Sequence, residues 1–524
     1  MHGRRRKLFL AVFAIAFGSL LLRGLALYRY EPKTSDAYLW GAFHVHSTFS
    51  DGLSPIEEIA RAAREARVDF VMLSDHGPPH AEATTLEKTL EGVRFIGGSE
   101  VALPDGHLIV SDIDELPLYT LPPYPPEAVA DVARWGGMSI VTYPEDPVYG
   151  WGYWNEGFVP DGIEILNVTS YFRAGSPWRK LSWALFSLFN PRYYISGFEA
   201  PTFALEKWDR LLERGEVHGF YANNAHGGFP LTEKRTIAVP SYRTALGYVG
   251  LGVDRRHREA PEEAIRRGEF FSLVRAAGEP ERFEFLEKGG SLDVRLEGAP
   301  PGARIDVKRN GEVMASTKSG ELRFETSEAG AYRAEVYLEH HPLLGSDVPW
   351  ILSNAIFLGP RPSPAPEKAF PCGEVDPLPL SELRLEKDDE SSGAIELSAS
   401  GGLKLSYHLS QQTPERVDRW VALSYRKEMD LSSYRGVHIE GSSPSTMRYW
   451  IEVRAGDEGH YASVELSPGG ASVDVPWERF YPTLGETRAI PLRAIDALFI
   501  TVNTSSSRTG FSTELSLDAI GFCR

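Results

Sequence analysis

The sequence predicts an α/β protein in which a mostly parallel (β/α) barrel is followed by two all-β modules, behind an N-terminal membrane helix. Three observations predict this class. Apolar runs of strand length alternate with helical patterns from about residue 38 to residue 280. Short runs of alternating polar and apolar residues fill the chain from Glu281 onward. A cluster of basic residues precedes an apolar stretch at the start of the chain.

Length and charge limit the function classes. A chain of 524 residues exceeds what one core supports, so we expect about two to four domains. The formal net charge of −17 argues against nucleic acid as the main partner, because a phosphate backbone needs a cationic surface. The negative charge does not exclude small phosphorylated substrates, since bound metal ions can supply the local positive charge.

The first 28 residues have the pattern of a signal anchor or a signal peptide. Arg4-Arg5-Arg6-Lys7 precedes a charge-free run over residues 8–22, and Arg23 can extend its side chain to the membrane surface. The basic flank predicts an N-terminus inside the cytoplasm and the remaining chain outside it, at the cell surface or in the periplasm. We favour an uncleaved anchor over a cleaved peptide, which would leave the protein secreted. Residues 29–37 are a polar linker.

Residues 38–280 carry the strand–helix alternation. Ser54, Pro55 and Glu57 have the pattern of a capping box that opens the first helix. The predicted inner stripe of this helix is Ile56, Ile59, Ala60 and Ala63. The principal expected strands cover residues 39–44, 68–74, 94–98, 107–110, 138–142, 162–166 and 219–222.

Histidines and acids recur near the ends of these strands. His44 and His46 are one residue apart on a strand and so point to the same side, which suits a divalent transition metal. Asp51 follows on a turn that ends in glycine and can fold its carboxylate back toward the pair. The ends of barrel strands meet on one face, so we expect a metal site there. The further members are Asp75, His76, Glu100, His107 and His226.

An insertion over about residues 148–198 interrupts the alternation and is dense in aromatic residues. Its segment 181–189 is nearly all apolar. Three interpretations stay open: a helix packed on the barrel, a lid over the site, or an interfacial helix lying on the bilayer that the anchor reaches. We favour the packed helix.

The pattern changes to all-β after the barrel. Residues 281–360 predict a small β-sandwich, with a hairpin turn at Arg309-Asn310-Gly311-Glu312. Residues 361–371 form a proline-rich linker, and residues 372–524 predict a second β module. Cys372 and Cys523, at its two ends, are expected to form a disulfide in an oxidising compartment. Two buried free thiols are the alternative.

The barrel region resembles the PHP (polymerase and histidinol phosphatase) family, in its stand-alone metallohydrolase branch. The resemblance runs over about residues 40–273 and rests on His44-x-His46, Ser50-Asp51-Gly52, Asp75-His76, Glu100 and Gly106-His107. It implies a distorted seven-stranded (β/α) barrel with two or three divalent ions, manganese, zinc or iron. It also implies hydrolysis of phosphoesters, and less often of other esters or carbamates. Two positions depart: Tyr143-Pro144 stands for the usual His-Pro, and Asn223-Asn224-Ala225-His226 for Ser-Asp-Ala-His.

The resemblance also implies a ligand layout with three metal positions. His44, His46, Glu100 and Asn224 surround the first. Glu100 bridges to the second, held by His107 with Tyr143. Asp51, His76 and His226 hold the third. His76 or His226 is otherwise a general acid, Asp75 orients a ligand, and Glu164 and Asn167 are candidates for the pocket wall.

The last module resembles a galactose-binding-like jelly roll, in segments such as Asp430-Leu431-Ser432-Ser433-Tyr434-Arg435-Gly436. Such domains often bind sugars or act as spacers, and often hold a structural calcium ion.

Three functional interpretations follow. The favoured one is a membrane-anchored, metal-dependent phosphoesterase acting on a small phosphorylated substrate. The second is a PHP-derived hydrolase of another ester, amide or glycan-linked group. The third is a catalytically weak scaffold whose β modules bind surface polysaccharide. The departures at Tyr143 and Asn224 weaken two of the metal positions and keep the third interpretation open.

Overall fold

The structure is a computed structural model that describes residues 18–19, 31–155, 157–232, 235–237, 240–363, 370–399, 401–413, 418–483 and 489–524. Of the predicted N-terminal segment, residues 1–28, only residues 18 and 19 are described. The predicted membrane helix therefore lies outside the described residues. Among those described, no helix combines the length and the apolar character needed to cross a membrane. The predicted order, an α/β region followed by all-β sheets, is confirmed.

Ten strands build the first part of the α/β region. They are β1 (Tyr38–Val45), β2 (Phe70–Leu73), β3 (Asp75–His76), β4 (Glu87–Leu90), β5 (Val93–Ile96), β6 (Gly98–Leu103), β7 (Gly106–Ser111), β8 (Met138–Val141), β9 (Gly162–Asn167) and β10 (His218–Ala222). Strand β2 continues into β3 across Ser74, and β5 continues into β6 across Gly97.

Hydrogen bonds close these strands into a ring. β1 pairs with β2 and β2 with β5, while a second sheet runs in the order β10-β9-β8-β7-β6-β3. The ring closes where Asn223 N donates to Phe43 O at 2.9 Å and Ala225 N to His44 O at 3.1 Å. The expectation of mostly parallel strands fails at β7, which is antiparallel to both neighbours. Only Pro104 and Asp105 connect β6 to β7, and a parallel pair needs a much longer crossover.

The α-helices of this region are α1 (Ile56–Glu65), α2 (Pro125–Arg134), α3 (Val168–Ala174), α4 (Pro177–Ser187), α5 (Thr202–Leu212), α6 (Tyr242–Ala245) and α7 (Pro261–Arg266). Helix α1 buries Ile56, Ile59, Ala60 and Ala63, as predicted. The predicted capping box is wrong. Pro55 is the N-cap and no side chain caps the helix, because Ser54 lies one residue too early and its carbonyl accepts from Thr48 N at 3.1 Å.

The α/β region and the middle β module share a sheet. Strands β11 (Phe229–Thr232) and β12 (Arg235–Ile237) form a hairpin, while β13 (Gly250–Asp254) and β14 (Phe270–Leu273) extend the barrel sheet outward from β1. The middle module adds β15 (Arg282–Lys288), β16 (Ser291–Glu297), β17 (Ala303–Arg309), β18 (Glu312–Thr317), β19 (Glu321–Glu325), β20 (Gly330–Leu338), β21 (Ile351–Ser353) and β22 (Ile356–Leu358). One 11-stranded sheet passes from β1 through β14 and β21 to β18, and the hairpin at Asn310-Gly311 is present. One apolar core, which includes Trp40, Trp208 and Trp350, therefore serves both parts.

The last module consists of two stacked sheets of six strands each. Its strands are β23 (Val375–Pro377), β24 (Arg384–Lys387), β25 (Ser392–Leu397), β26 (Leu403–Leu409), β27 (Trp420–Met429), β28 (Gly436–Ser442), β29 (Met447–Ala455), β30 (Glu458–Leu466), β31 (Ala471–Pro476), β32 (Tyr481–Pro482), β33 (Ile495–Asn503) and β34 (Phe511–Cys523). Cys372 and Cys523 are bonded, as predicted. The module docks on the barrel through buried Arg448, which forms two hydrogen bonds to Asp131 (2.5 and 3.0 Å) and one to Glu127 (2.8 Å) of α2.

Candidate metal centre

The ring of strands brings the predicted site residues together at one rim. His44 lies in β1 with His46 just beyond its end, His76 is in β3, Glu100 in β6, and Asn224 and His226 follow β10. His107 belongs to the antiparallel strand β7, yet it reaches the same rim because the two-residue turn after β6 places the start of β7 there. Every residue assigned to a ligand position by sequence thus lies in one cluster.

Glu100 lies at the centre of this cluster, surrounded by four imidazoles. Its Oε2 atom is 3.2 Å from His44 Nε2, 3.4 Å from His46 Nε2 and 3.4 Å from His76 Nδ1. Its Oε1 atom is 2.8 Å from His107 Nδ1. Burial would raise the pKa of this carboxyl, but the histidines, His44 foremost, lower it well below its usual range. Glu100 is therefore a carboxylate with imidazole nitrogens at both oxygens, which is the donor set of a bridging ligand.

Asp51 forms a second centre at the mouth of the site. Its carboxylate oxygens lie 3.5 Å from His46 Nδ1, 3.8 Å from His76 Nε2 and 3.4 Å from His226 Nε2. Burial works against ionisation, yet its hydrogen bond with His226 lowers the pKa of Asp51 overall. His46 and His76 each face both Glu100 and Asp51, and the contact of His76 with Glu100 was not predicted from the sequence.

Three residues of the site have strained backbones. His44, Tyr143 and Asn224 adopt φ angles of 63°, 54° and 44°, in the left-handed region. For residues other than glycine such a conformation costs on the order of 1–3 kcal/mol and persists only where the surrounding structure imposes it. The three side chains are adjacent at the rim, where the Tyr143 hydroxyl contacts both His44 and Asn224.

Glu164 fixes the orientation of His44. The buried Glu164 carboxylate accepts from His44 Nδ1 at 2.5 Å and from the backbone N–H of Tyr143 at 3.0 Å. Burial by itself lowers the pKa of His44, but Glu164 and Glu100 together raise it to about 9. With Nδ1 engaged by Glu164, the Nε2 atom of His44 faces Glu100. This is the arrangement by which an outer carboxylate orients a metal-binding histidine.

Tyr143 and Asn224, the two departures from the PHP pattern, contact each other. Asn224 Nδ2 donates to the Tyr143 hydroxyl at 3.0 Å, and that hydroxyl lies 3.3 Å from His44 Nε2 and 3.5 Å from Glu100 Oε2. Burial, together with Glu100 and Glu164, raises the pKa of Tyr143 well above its usual value. The phenol is therefore neutral at physiological pH and acts as a hydrogen-bonding group toward Glu100.

Asp75 and Asn167 support the site from behind it. The Asp75 carboxylate accepts from Ser47 N and Ser50 Oγ at 2.7 Å each, and from Ser47 Oγ at 2.9 Å, so it holds the loop that carries Asp51. Asn167 caps helix α3 and donates to Glu164 at 2.8 Å. Within the described part of the chain, neither side chain forms a hydrogen bond to Glu100, and each contacts a residue beside the cluster instead.

Arg173 and Tyr149, at the outer edge of the site, were not predicted from the sequence. The guanidinium of Arg173 lies 5.1 Å above the ring of Tyr143 and 5.0 Å above that of Tyr149. The Tyr149 ring is 5.5 Å from that of His107. The density of aromatic residues in the insertion was the available signal. Another cluster, Cys372, His438 and Asp474, has metal-like spacing, but its sulfur is bonded to Cys523.

The buried nitrogen and oxygen atoms of the cluster that lack hydrogen bonds fit a divalent metal ion. Both ring nitrogens of the fully buried His46 lack a hydrogen bond within the described part of the chain, as does Oδ1 of buried Asn224. Burial lowers the pKa of His46 well below its usual value, so the ring is neutral, the form in which imidazole binds metal. Buried polar atoms without partners are costly unless a further group satisfies them. A divalent ion held by His46 and Glu100 would satisfy the Nε2 atom of His46, which faces Glu100.

Replacement of Glu164 by glutamine is expected to weaken metal binding by about 10- to 100-fold. The substitution keeps the shape but removes the charge that makes His44 basic and holds its ring. Metal titration of the purified protein measures the loss without relying on activity. Glu213→Gln, an exposed change beyond α5, is the control. Equal affinities for the two variants would show that Glu164 has no orienting role.

Comparisons with known proteins give only distant likenesses. No protein-family profile matches the chain, and no curated protein matches it in sequence. A two-domain protein from Bacteroides vulgatus, described as containing a predicted PHP-like metal-dependent phosphoesterase, is 14% identical over 63% of this chain and 99% of that chain, with a TM-score of 0.29. The family 11 carbohydrate-binding module of the Clostridium thermocellum cellulase Lic26A-Cel5E is 14% identical over 29% of this chain and 94% of that chain, with a TM-score of 0.24. The interpretation of the site therefore rests on its own residues.

Proposed function

We propose that the chain is an extracytoplasmic metal-dependent phosphoesterase, with a PHP-type barrel over residues 38–280. The observation that carries the proposal is the Glu100 carboxylate, buried between four imidazoles with no lysine or arginine in contact with it among the described residues. The closed ring of strands supports the barrel assignment, and the strained backbones of His44, Tyr143 and Asn224 support a functional rim.

The donor set suits two or three divalent ions such as manganese, zinc or iron, because imidazole and carboxylate bind all three. His44, His46, His107 and Glu100 would hold the inner ions, and Asp51, His76 and His226 the outer one. Bound divalent ions supply water activation and neutralise charge that builds on the substrate.

The protein residues supply position and protons. Glu164 holds the His44 ring, Asp75 holds the loop of Asp51, and the neutral Tyr143 hydroxyl donates a hydrogen bond into the cluster. The side chains of His76 and His226 are 40 and 22% exposed at the mouth. Whichever of these two imidazoles is free of metal can donate a proton to the leaving group.

A phosphoester panel tests the proposal. The purified protein loaded separately with manganese, zinc or iron should hydrolyse small phosphomonoesters or phosphodiesters, and chelation should abolish the activity. Carboxyl esters, amides and carbamates assayed in parallel test the second interpretation. Hydrolysis of carboxyl esters, amides or carbamates without hydrolysis of phosphoesters would support the second interpretation. If the metal-loaded protein hydrolyses none of these compounds, the proposal that the chain is an enzyme is contradicted.

The Tyr143 and Asn224 pair should be coupled in metal binding. Asn224→Asp and Tyr143→His each restore a charged or basic ligand, so each should raise metal occupancy. The two groups are 3.0 Å apart, and their effects should depart from additivity by about 0.5–3 kcal/mol in a double-mutant cycle of metal affinity. Asn155→Asp, at an exposed position, is the charge-matched control. Additive effects would show that the two positions act independently.

Location outside the cytoplasm is supported by the Cys372–Cys523 bond, because disulfides persist in oxidising compartments. The anchor over residues 1–28 is part of the proposal. A reporter fused after residue 60 is expected to be active only outside the cytoplasm, and activity of a cytoplasm-dependent reporter there would contradict this topology.

Polysaccharide binding by residues 372–524 is a second candidate function. A cleft of about 480 Å³ on the outer face of one sheet is lined by Trp420, Phe499, Glu452 and Asn503. Phe499 is buried beneath Arg426 and Arg454, whereas Trp420 is partly exposed. An exposed aromatic ring beside polar groups suits a sugar ring, which has apolar faces and hydroxyl edges. Trp420→Ala should then abolish retention on polysaccharide gels and leave hydrolysis unchanged. Equal retention of the wild-type and Trp420→Ala proteins would exclude this cleft as a polysaccharide-binding site.

A further inference from the structure

Helix α4, in the aromatic insertion, has two apolar sides, and only one of them is buried. Trp183 and Phe186 pack against Tyr194 and Tyr193, with ring centroids 5.0 and 4.8 Å apart, which supports the packed-helix interpretation for that side. On the other side a second apolar row faces solvent. It consists of Trp178, Leu181, Leu185 and Leu188, which are 79, 57, 41 and 82% exposed. We call this row the exposed stripe.

The spacing of the exposed stripe is that of one helix face. Its members are three, four and three residues apart, so they align along the helix. Phe189, 42% exposed, extends the row past the helix end. A continuous apolar row of this kind on a soluble surface marks a contact surface, because scattered exposed apolar residues do not align.

The charge around the exposed stripe is opposite to that of the whole protein. The formal net charge of the chain is −17. Between Glu164 and Glu199, however, the sequence contains four basic residues and no acidic residue. Arg173 pairs with Asp146 and Arg179 with Glu199, while Lys180 and Arg192 form no ion pair among the described residues. Basic residues beside an apolar helix face, with a tryptophan in that face, are the features of helices that lie on anionic lipid surfaces.

The described segment that begins at Glu31 lies next to this surface. Pro32 and Thr34 line one surface cavity together with Pro191 and Arg192, which follow the exposed stripe directly. The charge-free apolar run of the sequence ends at Leu22. The residues from there to Glu31 can span at most about 30 Å. A membrane that holds the apolar run therefore lies within reach of the exposed stripe.

We propose that the exposed stripe lies in the interfacial region of a lipid bilayer that carries anionic lipids. The apolar side chains contact the acyl boundary, and Lys180 and Arg192 lie at the level of the headgroups. The same bilayer accepts the N-terminal apolar run, so the stripe and the run are two contacts with one surface. Arg173, whose carbonyl accepts from Lys180 Nζ at 3.3 Å, connects this surface to Tyr149 at the mouth of the metal centre.

Site-specific fluorescence in vesicles tests the proposal. The native cysteines form one disulfide, so an added cysteine is the only free thiol of the chain. The full chain carrying Leu188→Cys, labelled with an environment-sensitive dye, is reconstituted in phosphatidylcholine–phosphatidylglycerol vesicles that contain a doxyl-labelled lipid. We expect quenching of at least about twofold at position 188. Val313→Cys and Leu397→Cys, at positions 55 and 54% exposed, are matched controls that should show none.

The same design contains the outcomes that overturn the proposal. Equal quenching at positions 188, 313 and 397 would overturn the proposal, because the stripe would then have no preferential lipid contact. A blue shift of the label at 188 that needs no lipid and grows with protein concentration would assign the stripe to a second copy of the chain. A lipid-independent shift that does not depend on concentration would assign it to the chain's own apolar run. In the Leu188→Cys background, Leu181→Glu should restore the unquenched emission.

Discussion

Glu100→Gln is expected to remove bound metal and to lower hydrolysis by more than about a thousandfold, because metal activation is worth several kcal/mol. Glu100 contacts His44, His46, His76 and His107 through its two oxygens. Glutamine keeps the size of the side chain but replaces a charged oxygen with an amide group that donates hydrogen bonds. It therefore removes the shared ligand without opening a cavity.

Glu206→Gln is the matched control for this substitution. Glu206 is exposed on helix α5 and, among the residues that the structure describes, pairs only with Arg210 one turn away, so the change should leave metal content and activity at the wild-type level. Circular dichroism and the thermal unfolding midpoint show whether each variant is folded. A folded Glu100→Gln protein with full metal content and full activity would contradict the bridging role of Glu100.

Removal of the disulfide by the double substitution Cys372→Ser, Cys523→Ser is expected to lower the free energy of unfolding of residues 372–524 by about 5 kcal/mol in the chain-entropy model. The bond closes a loop with a sequence separation of 151, and Val375 pairs with Cys523 across β23 and β34. The first and last strands of the module thus meet, and the bond restricts the unfolded chain over nearly the whole module.

Chemical denaturation with and without reductant measures this effect. Reductant should lower the unfolding midpoint of the wild-type protein and leave the double variant unchanged, which serves as its internal control. Two free thiols counted in unfolded, unreduced wild-type protein would show that the bond does not form. An unchanged midpoint on reduction would show that the bond does not stabilise the module.

Local patterns in the sequence were sufficient to predict the order of the regions and the grouping of histidines and acids at one rim. Strand ends converge in a ring, so His44, His76 and His226 could be placed together without knowing distances. The antiparallel direction of β7 was not predicted. It depends on the two-residue turn after β6, whereas the alternation of strands and helices led us to expect a parallel strand. The predicted capping box was wrong because the helix begins one residue later than its motif indicates, with Pro55 and not Ser54 as the N-cap.

Contacts between distant segments could not be read from the sequence. Glu164 and His44 are separated by 120 residues, and nothing near Glu164 indicates that it holds an imidazole. The hydrogen bond between Tyr143 and Asn224 spans 81 residues. The left-handed backbones of His44, Tyr143 and Asn224 could not be predicted locally either, since residues other than glycine adopt that conformation only rarely.

Metal analysis of the purified wild-type protein tests the central claim most directly. Elemental mass spectrometry of the full chain, after reconstitution with manganese, zinc or iron and removal of free ions, gives the number of ions per chain. The proposed centre predicts about two or three tightly held ions, the number that its imidazoles and carboxylates can coordinate. A stoichiometry near zero with all three metals would contradict a metal-dependent hydrolase.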